Sequence, residues 1–444
     1  MPAGTERGIS VSVLSRIARG LGIAATLLVL GGCSDARHEG SNTKVIRLWI
    51  APNELEERFW KIAVERWNSE HRGAKVEFTT IPATGGSEEA ILTALVSGSG
   101  PDIADNIFPG FAAQLANLGQ LTDLANMPAF ARIVEARHME PMLEEAKVAG
   151  HQYLLPLYFS PTLIWWRSDI LAALGINGVP RTFEDVYDLS RRRAAWDGKL
   201  GMQVLAGREW RSRWYDYIAY YYAGSDGAAY ISGRKALYED PASLEALDFI
   251  HIMFQNHWTG LDFDTDDPLP RGEVAGAAHG AWDLAYYRQN HPQTLKHIEI
   301  GPMLRSRRAE AADPGKAHTF ADCKGMVLFK SSKVQAEALE FIAWVFGNDS
   351  ISLLWFQETG MPPARGDLTT NPIFRKLYRE DPLIAEYASY VDVARPTAPI
   401  EETIDVNKIM SVRMVEAVNF DAKPVREAAA DAARLTDRLL ERAQ

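Results

Sequence analysis

Apolar and polar positions fall along this chain in blocks that can be read one by one. KVIRLWI (44–50) is nearly all apolar, the pattern of a strand covered on both faces. NELEERFWKIAVERWNSE follows it, with Leu55, Phe59, Ile62 and Ala63 at helical spacing. KVEFTTI (75–81) reads as a second strand. GGSEEAILTALVSG then predicts a helix with Ser87 as N-cap, Glu88 and Glu89 in its first turn and Gly98 at its end. Ile91, Leu92 and Leu95 are its inward positions. After a Gly-Pro turn, PDIADNI supplies a third strand. This β-α-β-α-β order predicts a parallel sheet with right-handed connections. Its ligand-facing edge is the set of strand carboxyl ends: residues 52–54, Gly85-Gly86 and residues 106–108.

A second unit begins near residue 160. TLIWWRS reads as a strand and SDILAALG as a helix closed by Gly175. RTFEDVYDLSRRRA opens with Thr182 and Asp185 at capping-box spacing, and GMQVLAG is expected to be a further strand. KGMVLFKSS predicts a strand, and KVQAEALEFIAWVFG a helix packed through Ala338, Ile342 and Val345. The last segment, PVREAAADAARLTDRLLERA, is amphipathic through Ala428, Ala432, Leu435 and Leu439, with Pro424 at its start. There are no repeats. The expected linkers are 34–43 and RSRRAEAADPGKAH.

The N-terminus adds a different signal. Residues 1–20 carry Arg7, Arg16 and Arg19 against one acid, Glu6, and LGIAATLLVL follows. That apolar run is too short to span a bilayer and fits a secretory signal. Leu30-Gly31-Gly32-Cys33 resembles the bacterial lipobox, in which the cysteine is acylated and becomes the first mature residue. SDARHEGSNTK would then be a polar tether. With Cys33 acylated, Cys323 has no partner, so no disulfide is expected and Cys323 reads as a small buried residue. The mature length exceeds what one core usually supports, which predicts two domains. Lys and Arg total 47 against 58 Asp and Glu, a net charge of −11 that argues against nucleic acid and against broad adhesion to anionic lipid.

Five further motifs stand in order along the chain. SGSGPDIADNIFPG, GHQYLLPLYFSPTLIWWRSDILAALGI, GVPRTFEDVYDLSRR, GEVAGAAHGAWDLAYYR and TGMPPARGDL resemble segments of the extracellular solute-binding proteins of sugar-type ABC importers, the group that includes maltose-binding proteins. The resemblance runs from about residue 44 to the end. It departs at Asp322-Cys323, where the family often has Gly-Gly, and at Trp166-Arg167-Ser168-Asp169, where it often has Tyr-Asn-Lys-Asp. Both departures bear on the solute and not on the fold.

The resemblance implies an α/β, two-lobed periplasmic-binding-protein fold of type II with three hinge crossings, expected near 159, 299 and 347. Residues 1–33 would be signal peptide and lipobox and 34–43 the tether. Residues 44–159 plus 300–347 would form lobe 1, and 160–299 plus 348–444 lobe 2. It further implies an exported, lipid-anchored monomer on the periplasmic or cell-surface side. Such a protein hands a small solute, a di- or oligosaccharide, to ABC permease subunits and has no catalysis and no cofactor.

Carbohydrate chemistry directs the choice of site residues. A sugar offers apolar C–H faces to flat aromatic rings and hydroxyls to polar groups at its edge, and an unmatched buried polar group costs about 1–3 kcal/mol. Trp282 falls on the family's Gly-x-Trp position, with Asp283 beside it. Glu209, Trp210 and Trp214 follow a strand end where maltose binders carry an acidic-aromatic pair. Asn53, Glu54, Asn106 and Phe108 mark strand ends of the first lobe, Tyr158 the first crossing, Asp322 a neighbouring segment and Arg365 the last return. Each has a plainer reading: Glu54 favours a helix start, Arg365 pairs an acid, and Tyr217, Tyr220, Tyr221 and Tyr222 pack. Other classes stay open: a secreted hydrolase using Glu209 and Asp283, a sensor subunit, and a binder of polyol phosphate or of ferric iron through tyrosines.

Overall fold

The computed structural model describes residues 43–82, 86–208, 210–263 and 267–442. The signal peptide, the lipobox with Cys33, most of the tether, Gly85 and Glu209 lie outside the described residues. Strand β1 (Lys44–Ile50), helix α1 (Glu54–Glu70), β2 (Ala74–Thr80), α2 (Ser87–Val96) and β3 (Ile103–Ile107) follow the expected order. β1 pairs in parallel with both β2 and β3. β1 buries Ile46, Leu48 and Ile50 on one face but leaves Val45 and Arg47 exposed, so it is not covered on both sides as its composition suggests. The inward face of α1 is also rotated from the expected one: Glu56, Phe59, Trp60, Ala63, Val64 and Trp67 are buried, and Ile62 is exposed. Two tryptophans cover more apolar area than one isoleucine and so decide the orientation.

Helix α3 (Pro109–Asn117) leads towards β4 (Leu155–Arg167), a strand of 13 residues buried almost throughout. A short hairpin, β5 (Ile231–Ser232) with β6 (Lys235–Ala236), stands apart from the main sheet. β7 (Gly276–Gly280), β8 (Ile298–Gly301), β9 (Thr319–Leu328) and β10 (Ala394–Arg395) complete the strands. The main sheet runs β2-β1-β3-β9-β4-β7, with β8 also on β4 and β10 also on β9. Leu155–Pro161 of β4 pairs with β9, and Thr162–Arg167 pairs with β7 and β8. One strand therefore belongs to both halves of the molecule. Consecutive side chains on it point to opposite faces, so Trp165 enters the core around α1 and Trp166 the core around the helix Trp210–Gly224. Gly276 on β7 makes room for the second indole; a Cβ there would sit 2.4 Å from its ring.

The two cores do not divide at single points of the chain: Leu269, Val274, Ala277 and Tyr287 pack in the α1 core with Trp165 and Tyr387, while Met303, Leu304, Ala317 and Phe320 pack with Trp166. β4, β9 and β10 are neighbouring strands. Phe159 faces Cys323 and Pro161 faces Ala321, while Ala394 faces Thr319.

Several smaller expectations change. Residues 305–318 are no linker, because Arg305 is buried against Glu310 and Arg307–Ala312 is helical. GMQVLAG makes only an isolated bridge from Met202 to Gly276. Ser87 is not the cap of α2; Gly86 takes that place, and the Ser87 hydroxyl accepts from Asn106 instead. The capping box of Thr182 and Asp185 is present, and Cys323 is a free, buried thiol.

Arg365 belongs to this framework. It is 1% exposed, donates twice to Asp367 at 2.6 and 2.7 Å, reaches Asp349 at 2.7 Å and lies over the ring of Phe374. Arg365→Met should therefore cost about 3 kcal/mol, the usual price of stranding one partner of a buried ion pair. Urea denaturation of the variant against the parent measures it.

Candidate functional site

The carboxyl ends of the first strands carry one group of polar residues. Asp105 on β3 accepts from the backbone N–H of Ala51 at 3.1 Å and from the indole N–H of Trp60. Glu56 lies one helical turn before Trp60 on the same face of α1 and is 6% exposed. On the crossing strands, Tyr158 donates to Asp322 at 3.0 Å and stacks on Trp355 at 5.5 Å. Burial keeps the Tyr158 phenol well above its ordinary ionisation, and Asp322 and Glu56 add to the effect, so it stays a donor. The charge of Lys324 on β9 bears on both Glu56 and Asp105.

Burial pushes the Glu56 carboxyl up, and Asp105 and Asp322 push it further, against an opposing pull from Lys324. Asp105 is pushed up by burial too, but the donors Trp60 and Ala51 oppose the shift.

A second group lines a cavity of about 780 Å³ that includes Tyr215, Asp267, His279, Trp282, Asp283 and Tyr286. Trp282 directly precedes the helix Asp283–Asn290, and its indole lies over Gly280, where a Cβ would be 2.1 Å from the ring. His279 and Asp283 approach to 2.8 Å, and the imidazole stacks on Trp165 at 4.5 Å. Burial opposes its charge, but the hydrogen bond and charge of Asp283, with Asp267 and Asp216 behind them, hold His279 above its ordinary range. Tyr215 shares a 2.6 Å hydrogen bond with Thr162 of β4. Burial holds the Tyr215 phenol well above its ordinary ionisation, and the charges of Asp322, Asp216 and Asp283 add to the effect.

The expected residues are thus divided. Trp282 and Asp283 line the cavity; Tyr158 and Asp322 are bonded to each other at the crossing. Asn53 caps α1, accepting from the N–H groups of Leu55 and Glu56, and Glu54 is exposed on the first turn. Asn106 donates to Ser87 at 3.1 Å and leaves its carbonyl oxygen buried without a partner. Phe108 stacks on Phe111 at 6.2 Å. Trp214 is half-buried edge-on to Phe320, and it is its neighbour Tyr215 that reaches the cavity. Arg365 stays in the core described above. Trp210 starts its helix, but its side chain, like Glu209, is outside the described residues.

Tyr217, Tyr220, Tyr221 and Tyr222 are all buried, as the packing reading has them, and three bond internally: Tyr217 with Ser243, Tyr221 to Ala229 and Tyr222 to Pro396. Among the described residues no cluster of three or more His, Cys, Asp or Glu is placed to hold a metal ion. Glu56, Asp105, Lys324, Tyr215 and His279 were not anticipated. A signal existed for two of them: Glu56 interrupts an inward helical stripe, and Asp105 interrupts an apolar strand.

A flat indole beside a carboxylate and imidazole that are paired with each other suits a ligand with apolar faces and many polar edges. The family model of the bacterial extracellular solute-binding proteins matches residues 51–351, and the chain belongs to that family. Among solved structures, an uncharacterized protein from Listeria monocytogenes EGD-e is 25% identical with a TM-score of 0.81, covering 90% of this chain and 100% of its own. The cyclic alpha-maltosyl-1,6-maltose binding protein of Arthrobacter globiformis has 15% identity and a TM-score of 0.75, over 90% of this chain and 100% of that one. The sugar-binding protein MalE of Xanthomonas citri has 17% identity and a TM-score of 0.75, over 90% and 98%. These share the α/β two-lobed fold.

The shifted carboxyl pair carries a pH prediction. Folding raises the Glu56 ionisation above its unfolded value, so the folded chain holds a proton that the unfolded chain releases. Stability must then fall as pH rises from the ordinary carboxylate range through the folded-state ionisation, and level off above it. Glu56→Gln removes this loss. Its melting temperature relative to the parent should climb across that window, and a pH-independent difference would contradict the shift.

Proposed function

We propose that this protein is the extracytoplasmic capture subunit of an ABC-type importer for a small carbohydrate. It is exported, acylated at Cys33 and held at the membrane by the tether that follows. The observation that carries the reading is the Trp282 indole laid over Gly280, with the Asp283–His279 pair beside it, in a cavity whose Tyr215 is bonded to Thr162 of β4. The indole would receive a C–H face of the sugar and Asp283 its hydroxyls. Two of the similar proteins are described by the maltose-type or other sugars they bind, which agrees with this class.

In this reading the lobes comprise about 44–159 with 300–347, and about 160–299 with 348–444. Sugar bound between Trp282 and the Glu56–Asp322 side favours the closed arrangement because only there do both sets of contacts form. Function is affinity plus shape, with no bond broken. The closed rims would be what the permease recognises.

Tryptophan fluorescence titrations with a panel of mono- and oligosaccharides test this. We expect a saturable change, sugar recovered intact, and roughly a tenfold or greater loss of affinity in Trp282→Ala, the weight of one buried aromatic contact. Gly280→Ala should weaken binding as well, because its methyl displaces the indole. Recovery of cleaved sugar would refute the reading. Separately, Cys33→Ser should move the protein from the membrane fraction to the soluble one without changing its affinity for sugar.

A further inference from the structure

The imidazole of His279, which lines the cavity, is held on several sides. Its side chain is 10% exposed, its face lies on the Trp165 indole at 4.5 Å, and Tyr287 meets it edge-on at 5.6 Å. The backbone beneath it is fixed as well. The Tyr387 hydroxyl donates to the His279 carbonyl at 2.9 Å and accepts from the Trp165 indole N–H at 2.7 Å. His279 also faces Leu163 of β4 in the strand register. Strands β4 and β7 and the helix Pro382–Ser389 therefore hold one ring in one place.

A carboxylate only accepts, so the 2.8 Å contact between Nδ1 of His279 and Oδ2 of Asp283 puts the ring proton on Nδ1. The other nitrogen, Nε2, is buried without a partner. Folded interiors rarely carry that cost, and a leucine lying on the same indole would not incur it. Stability alone does not explain an imidazole at this position; the bond to Asp283 does. Asp283 is 30% exposed, lines the cavity and has no other bonded partner among the described residues. Its second oxygen, Oδ1, is left for whatever enters.

We propose that His279 is a positioning residue that sets the specificity of the solute site. By holding Oδ2 it fixes the direction of Oδ1, so Asp283 receives one sugar hydroxyl at one place beside the Trp282 indole. An epimer that turns this hydroxyl away leaves a charged acceptor unmatched, and a fixed acceptor cannot follow it. A carboxylate released from His279 can rotate and meet either epimer. His279 does not touch the sugar in this role; it acts through Asp283. The role rests on the carbohydrate reading above.

Calorimetric affinities for glucose, mannose, allose and galactose, and for maltose with the same epimers of its non-reducing ring, test it. The proteins are the full chain, His279→Leu, His279→Asn, Asp283→Ala and the double variant His279→Leu with Asp283→Ala. His279→Leu should bind the preferred sugar about tenfold more weakly and narrow its lead over the poorest epimer by a similar factor. Its melting temperature should not fall. His279→Asn, whose amide N–H takes the place of the Nδ1 proton, should restore both affinity and epimer preference. In the Asp283→Ala background His279→Leu should cost nothing further. Unchanged affinity and epimer ratio in His279→Leu would overturn the role. Losses that add to those of Asp283→Ala would overturn it too, since His279 would then act without Asp283. A large drop in the melting temperature of His279→Leu without rescue by His279→Asn would assign the imidazole to the fold instead. No binding of any of these sugars by the parent would overturn the carbohydrate reading and this role with it.

Discussion

The molecule depends on one constraint: the three passages of the chain between its halves are hydrogen-bonded to one another. β4 carries it, pairing first with β9 and then with β7 and β8. A strand cannot leave one sheet for another without exposing its backbone groups unless a partner meets it at each step. Here β9 and β10 make the passage alongside it, Ser160 facing Asp322 and Arg395 facing Phe320. Trp165 and Trp166 then tie one strand into two cores through successive side chains.

That arrangement also sets the electrostatics. Asp322 and Lys324 are on β9 a few residues past its crossing, Tyr158 is on β4 just before its own, and Tyr215 is bonded to Thr162 just after it. The hinge strands thus bring polar groups of both halves within reach of one another. Glu56 and Asp105 are added from the first sheet by helix and strand geometry alone. Trp165 serves twice on the other side, its indole bonded to Tyr387 and its face supporting His279.

Much of the architecture was legible from local pattern. The β-α-β-α-β start, the capping box at Thr182 and the inward Ala338, Ile342 and Val345 depend on neighbours within a few residues, and each is present. The packing of residues 349–359 was not legible, because a helix there suits either half and only the contact of Trp355 with Phe59 shows what it joins. Arg365 and Trp214 illustrate the same limit at the site. An arginine after a turn and a tryptophan in a helix are equally suited to a ligand and to a core; burial beside Asp349 and Phe374 decides the first and distant Phe320 the second.

By itself the sequence determined the family, the order of elements and the position of Trp282, because these follow from periodicity, turn residues and short motifs. The tertiary structure alone decided that the charges of Glu56, Asp105, Asp322 and Lys324 bear on one another. They come from a helix and two strands up to 268 positions apart, from Glu56 to Lys324. Which charges meet is fixed by strand order in the sheet. Strand order is a long-range property that local composition does not carry.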